Sequence, residues 1–281
     1  MKTGLMKRQI LLPTDFSDNA WSAIAYAIKL FKNEECTFYI LNSIALKAST
    51  MSTSATKVLR AMEDNARKEL YELKNQIETS ETNTGHEFIT IISTLDLYDA
   101  IEVEMEKNHI DLVVMGTKGA TGAKEFFFGS NTVKTIKRMN KGAILVVPDE
   151  YDYVTPRQIA FPTDFNRNFS EEELQPLKVM AALHNSKIRI LHIHEEEKLS
   201  PKQEHHFDCL INHFEGFEYS FHWMPDYSTK EREIKEFVED LEIDMLCMVH
   251  TKHSCIARIT HEPVINKIGF KPIVPFLVIS V

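Results

Sequence analysis

The chain has 281 residues, of which 43% are hydrophobic and 26% charged, and these values fit two domains with ordinary cores. The formal net charge of −9 argues against non-specific binding to nucleic acid, which requires clustered positive charge. No apolar run is long enough to span a bilayer, and four cysteines without a CxxC pair fit a reducing compartment, so we predict a cytoplasmic protein without a nucleic-acid or membrane partner.

Strand and helix patterns alternate in the first half. They predict strands over residues 7–12, 36–44, 87–92, 111–115 and 143–147, and helices after Ser17, from about residue 56, after Asp96 and after Gly129. The strands are apolar on both faces, which is typical of a parallel sheet covered by helices on both sides. We therefore predict a doubly wound, Rossmann-like α/β domain with a mainly parallel five-stranded sheet. Its binding crevice should lie at the carboxyl ends of the strands.

The second half repeats this order after a polar linker, residues 149–156. Pro13-Thr14-Asp15-Phe16 recurs as Pro162-Thr163-Asp164-Phe165. Strands are predicted over residues 159–161, 187–193, 217–223, 244–249 and 272–279, and helices after Ser170 and over residues 229–241. We predict an internal duplication with two α/β domains, residues 1–148 and 157–281.

A glycine-spaced motif follows the fourth strand of the first half. Gly116 and Gly119 are separated by two residues, and nine residues separate Gly119 from Gly129-Ser130. Glycine lets the backbone approach a ligand closely, and the free N–H groups of a helix start attract anions. The hydroxyls of Ser130 and Thr132 add donors, so the motif predicts a phosphate-binding loop. The sequence contains neither GK[ST] nor GxGxxG, which argues against a P-loop NTPase and a nicotinamide dehydrogenase.

This motif, together with Pro13-Thr14-Asp15-Phe16-Ser17, resembles the G-2x-G-9x-G-[S/T] and P-T-D-F-S signatures of the ATP-binding universal stress proteins. The order of elements resembles that family in both halves, and the loop motif in the first half alone. The chain therefore looks like a tandem member, and the resemblance implies an ATP-binding stress-response module with ATP and Mg²⁺ as ligands. It implies these binding residues: Pro13, Thr14, Asp15 and Ser43 at the adenine and ribose, Met115 near the nucleoside, Gly116 and Gly119 beside the ribose and α-phosphate, and Gly129, Ser130, Asn131 and Thr132 at the phosphates.

The second half lacks the glycine loop. His250 and His253 stand opposite Gly116 and Gly119, and side chains there should block close approach to phosphates, so we predict no ATP site of this kind. A His-rich metal site is one interpretation, because His192 and His194 flank the end of the second strand, His250 and His253 follow the fourth, and these strand ends should meet near Asp164. Ordinary solvated or hydrogen-bonded histidines are the other.

Three functional hypotheses remain open. The first is an ATP-binding regulatory module, and the second is a slow ATPase or phosphotransfer enzyme that uses the same pocket. Hydrolysis needs a positioned base and metal-binding carboxylates near the γ-phosphate, and the loop offers no such pair on a rigid element, so we favour binding and predict no catalytic residue. The third is a scaffold whose two modules form an internal pseudo-dimer. The family that the chain resembles commonly dimerises through the fifth strand, and here residues 143–147 and 273–278 would pair in that way within one chain, giving a compact monomer or a homodimer of such pseudo-dimers.

Overall fold

The computed structural model describes residues 7–45, 53–81, 83, 85–117, 129–194, 198–250 and 273–281. The chain divides into two compact units, Met1–Met139 and Asn140–Val281. The first unit contains β1 (Arg8–Pro13), α1 (Asp18–Leu30), β2 (Cys36–Ser43), α2 (Thr53–Ser80), β3 (His86–Ser93), α3 (Leu97–Lys107), β4 (Leu112–Gly116) and α4 (Ser130–Arg138). The second contains β5 (Gly142–Val147), β6 (Gln158–Pro162), α5 (Glu171–His184), β7 (Lys187–Ile193), α6 (Pro201–His213), β8 (Tyr219–Met224), α7 (Lys230–Asp240), β9 (Met245–His250) and β10 (Phe276–Ser280).

The sheet of the first unit is parallel, with the strand order β3-β2-β1-β4. β4 is buried at every position and β2 at every position but Ser43, as expected for strands covered on both faces. α1 packs against β4 and β1, and α3 packs against β1, β2 and α4. The predicted α/β class is confirmed, and the carboxyl ends of β1, β2 and β4 lie at one edge of the sheet.

The second unit has the strand order β5-β10-β9-β6-β7-β8. Strands β6 to β10 are parallel in the order β10-β9-β6-β7-β8, which is the five-stranded arrangement predicted for the second repeat. β5 pairs antiparallel with β10, with Leu145 opposite Leu277. The two strands expected to pair across the repeats therefore do so.

The boundary between the compact units lies at residue 139 rather than in the predicted linker. β5, the last strand of the first repeat, belongs to the second unit, where its backbone pairs with β10. The repeat boundaries at residues 148 and 157 stay a prediction.

Local sequence explains most of the helix starts. Ser17 caps α1 by accepting a hydrogen bond from the Ala20 N–H, and Ser170 and Glu173 form the predicted capping box of α5. The helix α6 was not predicted, and β8 and β10 begin later than predicted. Pro275 precedes β10 directly, and proline has no N–H for a strand ladder. Among the described helices, none is long and apolar enough to cross a membrane.

Candidate functional site

The turn after β1 presents a carboxylate at the edge of the sheet. Thr14 is buried, and its hydroxyl accepts a hydrogen bond at 3.0 Å from the N–H of Phe16, which adopts a φ of 63°. Asp15 is exposed, and its Oδ1 accepts from the Ser17 hydroxyl at 2.6 Å and from the Ser17 N–H at 3.2 Å. Since Ser17 caps α1, Asp15 supports the cap and does not itself cap the helix.

The base of the glycine loop is closed by two hydrogen bonds. The Gly129 N–H donates to the Thr117 carbonyl, and the Thr132 hydroxyl donates to the Gly116 carbonyl at 2.9 Å. Thr132 is buried, so its side chain holds the loop base and is not placed to donate to a phosphate. Gly119 lies outside the described residues.

The first turn of α4 has no side-chain cap. Gly129 occupies the N-cap position with φ −55° and ψ 145°. As a glycine it has no side chain that accepts a hydrogen bond from the helix N–H groups. Ser130 and Asn131 are exposed in this turn. The first N–H groups of a helix have no partner within the helix, so this end of α4 favours an anion.

Gly116 has a packing reason to be glycine. A Cβ at this position would lie 2.1 Å from Oδ1 of Asn19 and 2.9 Å from its carbonyl oxygen. The sequence suggested that this glycine makes room for a ligand, but in the described part of the chain it makes room for the first turn of α1.

A pocket of about 230 Å³ opens between the end of β2, the start of α3 and one face of α4. Its lining residues are Ser43, Ala45, Asp96, Leu97, Tyr98, Asn131, Lys134 and Thr135. Two of the predicted site residues, Ser43 and Asn131, thus meet in its wall, and the Ser43 hydroxyl donates to the Leu95 carbonyl at 2.6 Å. The other described site residues lie at the ends of β1 and β4 and at the start of α4: Pro13, Thr14, Asp15, Met115, Gly116, Gly129, Ser130 and Thr132.

An ionic network joins α3 to α4 beside the pocket. The Lys134 ammonium lies 2.7 Å from Oδ2 of Asp96, and this hydrogen bond is the main reason why the pKa of Asp96 is below its ordinary value. Arg138 donates to Asp99 at 2.8 Å and stacks 4.0 Å from the ring centroid of Tyr98. No sequence motif includes Tyr98 or Lys134, and the sequence indicates Asp96 only as a helix start, because Lys134 lies 38 positions from Asp96.

The second unit repeats the turn after its first strand. The Thr163 hydroxyl accepts from the Phe165 N–H at 3.2 Å, Asp164 accepts from the Asn166 N–H at 3.0 Å, and Phe165 has a φ of 53°. His192 donates through Nδ1 to the Thr163 carbonyl at 3.0 Å, as Asn42 does through Nδ2 to the Thr14 carbonyl at 2.8 Å.

Helix α6 covers this second turn. Gln203 donates to the Asp164 carbonyl at 3.0 Å, and His206 donates through Nδ1 to the Phe165 carbonyl at 2.7 Å. Phe165 is fully buried and packs edge-on against Phe207, whereas Phe16, its counterpart in the first unit, is partly exposed. The turn after β6 is therefore packed against α6.

The described histidines fit the hydrogen-bonded interpretation better than a metal site. Among the described residues, no group of three or more His, Cys, Asp or Glu side chains is arranged to hold a metal ion. His192 is buried and stacks on His194 with 5.6 Å between ring centroids, and burial lowers the pKa of His192. Burial also raises the pKa of the Cys247 thiol, and His253 and Cys255 lie outside the described residues.

Comparison with known proteins identifies the family. The sequence profile of the universal stress protein family matches residues 6–148, about half of the chain. The chain belongs to the universal stress protein family. It is 26% identical over 160 residues to universal stress protein MJ0577 of Methanocaldococcus jannaschii, a match that covers 51% of this chain and 96% of that relative.

Solved structures extend the likeness of fold to the whole chain. A universal stress protein from Archaeoglobus fulgidus matches with a TM-score of 0.69 and 18% identity, covering 97% of this chain and 96% of that one. A functionally unknown protein of Pseudomonas aeruginosa, PA1789, matches with a TM-score of 0.60 and 14% identity, covering 98% and 93%. At these identities the two structures bear on the fold alone, and the likeness of fold covers 97% and 98% of the chain.

Proposed function

We propose that the first unit binds ATP and that the protein acts as a nucleotide-responsive module of the stress response. The observation that carries this proposal is the pocket that brings Ser43, at the end of β2, together with Asn131, in the uncapped first turn of α4. A crevice at the carboxyl ends of parallel strands is where doubly wound folds bind nucleotides.

The chemistry of the groups around the crevice fits the two ends of a nucleotide. The first N–H groups of α4 have no partner within the helix and suit phosphate oxygens, and the residues Gly129 and Ser130 before them carry small side chains or none. The Asp15 carboxylate is exposed at the neighbouring strand end and accepts hydrogen bonds, so it suits the adenine amino group or the ribose hydroxyls.

Mg²⁺ would enter with the phosphates of ATP. Asp96 is the one carboxylate among the lining residues, and it is engaged by Lys134. The same engagement makes Asp96 a weak base, because the pKa of its carboxyl group is lowered. No observation in the described site therefore favours hydrolysis over binding.

We also propose that the two repeats, residues 1–148 and 157–281, form an internal pseudo-dimer. The support for this is that β5, the last strand of the first repeat, pairs antiparallel with β10, the last strand of the second. Antiparallel pairing of equivalent strands is what a twofold relation between two copies produces.

Calorimetric titration with ATP tests the binding proposal. Gly129→Val should abolish ATP binding by placing an isopropyl group before the N–H groups of α4. The variant should fold, because φ −55° and ψ 145° are values that valine adopts without strain. Thr229→Val is the matched control, since it places the same side chain at the N-cap of α7 in the second unit. It should leave ATP affinity unchanged, and equal affinity in wild type and Gly129→Val would contradict the proposal.

A further inference from the structure

Lys134 faces the pocket with a positive charge that the sequence motif does not include. Asn131, Lys134 and Thr135 line the pocket from one face of α4, as residues three and four positions apart do on a helix. Lys134 is the one cationic side chain among the eight lining residues. It stands one turn beyond the uncapped start of α4, where the proposed function places phosphates.

The partner of Lys134 is one that a phosphate can replace. The Lys134 and Asp96 side chains are 47% and 40% exposed, and ion pairs this exposed contribute little to stability. A nucleotide phosphate carries more negative charge than a carboxylate and offers several acceptor oxygens, so it competes well for the same ammonium group.

Asp96 keeps other partners when Lys134 leaves it. Its Oδ1 accepts from the Asp99 N–H at 3.1 Å as the N-cap of α3, and Nη1 of Arg138 lies 3.7 Å from its Oδ2. Arg138 is held in place by Asp99, and the Tyr98 hydroxyl donates to the Arg138 carbonyl at 2.8 Å. Losing Lys134 thus leaves no isolated carboxylate.

We propose that Lys134 is a specificity residue that exchanges Asp96 for a ligand phosphate, so that the pocket prefers phosphorylated nucleosides to bare nucleosides. This inference rests on the proposed function and adds a residue to that site. Asp96 acts as the intramolecular competitor: it holds the ammonium group in place and weakens phosphate binding by the cost of the exchange.

Titration of the full-length chain with ATP and with adenosine tests the exchange. Lys134→Gln should weaken ATP binding by about five- to tenfold and leave adenosine binding unchanged, because adenosine has no phosphate. Lys134→Arg should restore most of the ATP affinity. Asp96→Asn should strengthen ATP binding by about two- to fivefold, because asparagine still caps α3 and no longer holds the ammonium group.

Lys137→Gln is the matched control. It removes the same charge from the same helix at an exposed position outside the pocket lining, so ATP affinity should stay within about twofold of wild type. Wild type that binds neither ATP nor adenosine would overturn both the proposed function and this inference. If the wild type binds ATP and Lys134→Gln binds ATP as tightly as Lys137→Gln does, the inference about Lys134 is overturned and the proposed function stands. Equal losses of ATP and adenosine affinity in Lys134→Gln would overturn it as well.

Discussion

At the scale of single residues, the first turn of α1 restricts which amino acid can occupy position 116. Asn19 is buried, and its side-chain and backbone oxygens approach the Cα of Gly116 so closely that no Cβ fits without movement. The side-chain contact can be relieved by substitution, but the contact with the carbonyl oxygen belongs to the helix backbone. Gly116 is therefore an element of packing, whatever its role beside a ligand.

We expect Gly116→Ala to destabilise the protein by about 1–3 kcal/mol, the usual cost of overpacking a close contact. Asn19→Ala in the same chain should restore part of that loss, because it removes Oδ1 and Cγ and leaves the carbonyl oxygen at 2.9 Å. Urea unfolding of the two single variants and the double variant measures the coupling. Additive effects of the two substitutions would contradict the contact.

His192 and Asn42 have equivalent structural roles in the two units. Each donates a hydrogen bond to the carbonyl of the threonine that follows the first strand of its unit's repeat, Thr163 and Thr14 respectively. A histidine in this role adds a pH dependence. Burial is the largest cause of the lowered pKa of His192; His194 and Lys230 lower it further, whereas the hydrogen bond with Thr163 and the charge of Asp164 raise it. The folded state thus favours the neutral ring.

His192→Asn should reduce the loss of stability at acidic pH. Below its ordinary pKa of 6.5 the unfolded histidine binds a proton that the folded histidine resists, so the contribution of His192 is complete above 6.5 and decreases as the pH falls. The free energy of unfolding of wild type should therefore fall faster than that of the variant, by up to about 1.4 kcal/mol per pH unit. Urea unfolding between about pH 7.5 and 5.5 gives the two slopes, and parallel slopes would show that His192 does not titrate in this range.

At the scale of elements, the two units diverge directly after an identical turn. α1 begins three residues after Asp15, whereas α5 begins seven residues after Asp164. The helical turn that carries Asn19 has no counterpart in the second unit, and there the strand register places Val249, and not the expected His250, at the position of Gly116. The start of the first helix and the residue near the end of the fourth strand that faces it thus differ together between the two units.

The sequence at the start of helix α6 is sufficient to predict this helix. Ser200 caps it, Pro201 occupies its first position, and Gln203 completes a capping box, which together are a sequence signature of a helix start. What no local pattern indicates is the contact of Gln203 and His206 with the turn after β6, because those partners are about forty positions away.

The register of β5 on β10 can be tested by cross-linking. Ala143 lies opposite Ile279, so Ala143→Cys with Ile279→Cys should form a disulfide when the full chain refolds under mildly oxidising conditions. Ala143→Cys with Val278→Cys should not, since neighbouring residues of a strand point to opposite faces. Peptide mapping by mass spectrometry distinguishes these pairs from the native cysteines. A disulfide in the second pair alone would contradict the register.

At the scale of the whole molecule, two repeats share a backbone plan and differ in their crevices. The first has a partly exposed Phe16 and an uncapped α4. In the second, α6 covers the turn and Phe165 is buried, although Asp164 is exposed as Asp15 is. We therefore expect one adenine nucleotide for each chain.

Calorimetric titration should give a stoichiometry close to one ATP for each chain. Substitution of the equivalent residues Asp15 and Asp164 tests which of the two units holds the site. Asp15→Asn should weaken ATP binding because it removes a charged acceptor, while the amide oxygen still accepts from Ser17. Asp164→Asn makes the same change in the equivalent turn of the second unit and should leave affinity unchanged. Two sites for each chain, or equal effects of the two substitutions, would contradict a single site in the first unit.

The sequence by itself determined the α/β class, the duplication and the positions of most strands and caps, because apolar periodicity and capping residues act over a few positions. It also placed Ser43 and the glycine motif at strand ends. The tertiary structure decided what touches these residues: Asn19 against Gly116, Thr132 beneath the loop base, and Lys134 with Asp96 in the pocket wall. These contacts join residues between 16 and 97 positions apart, and no local pattern encodes such pairs, because only the packing of α1, α3 and α4 on the sheet brings them together.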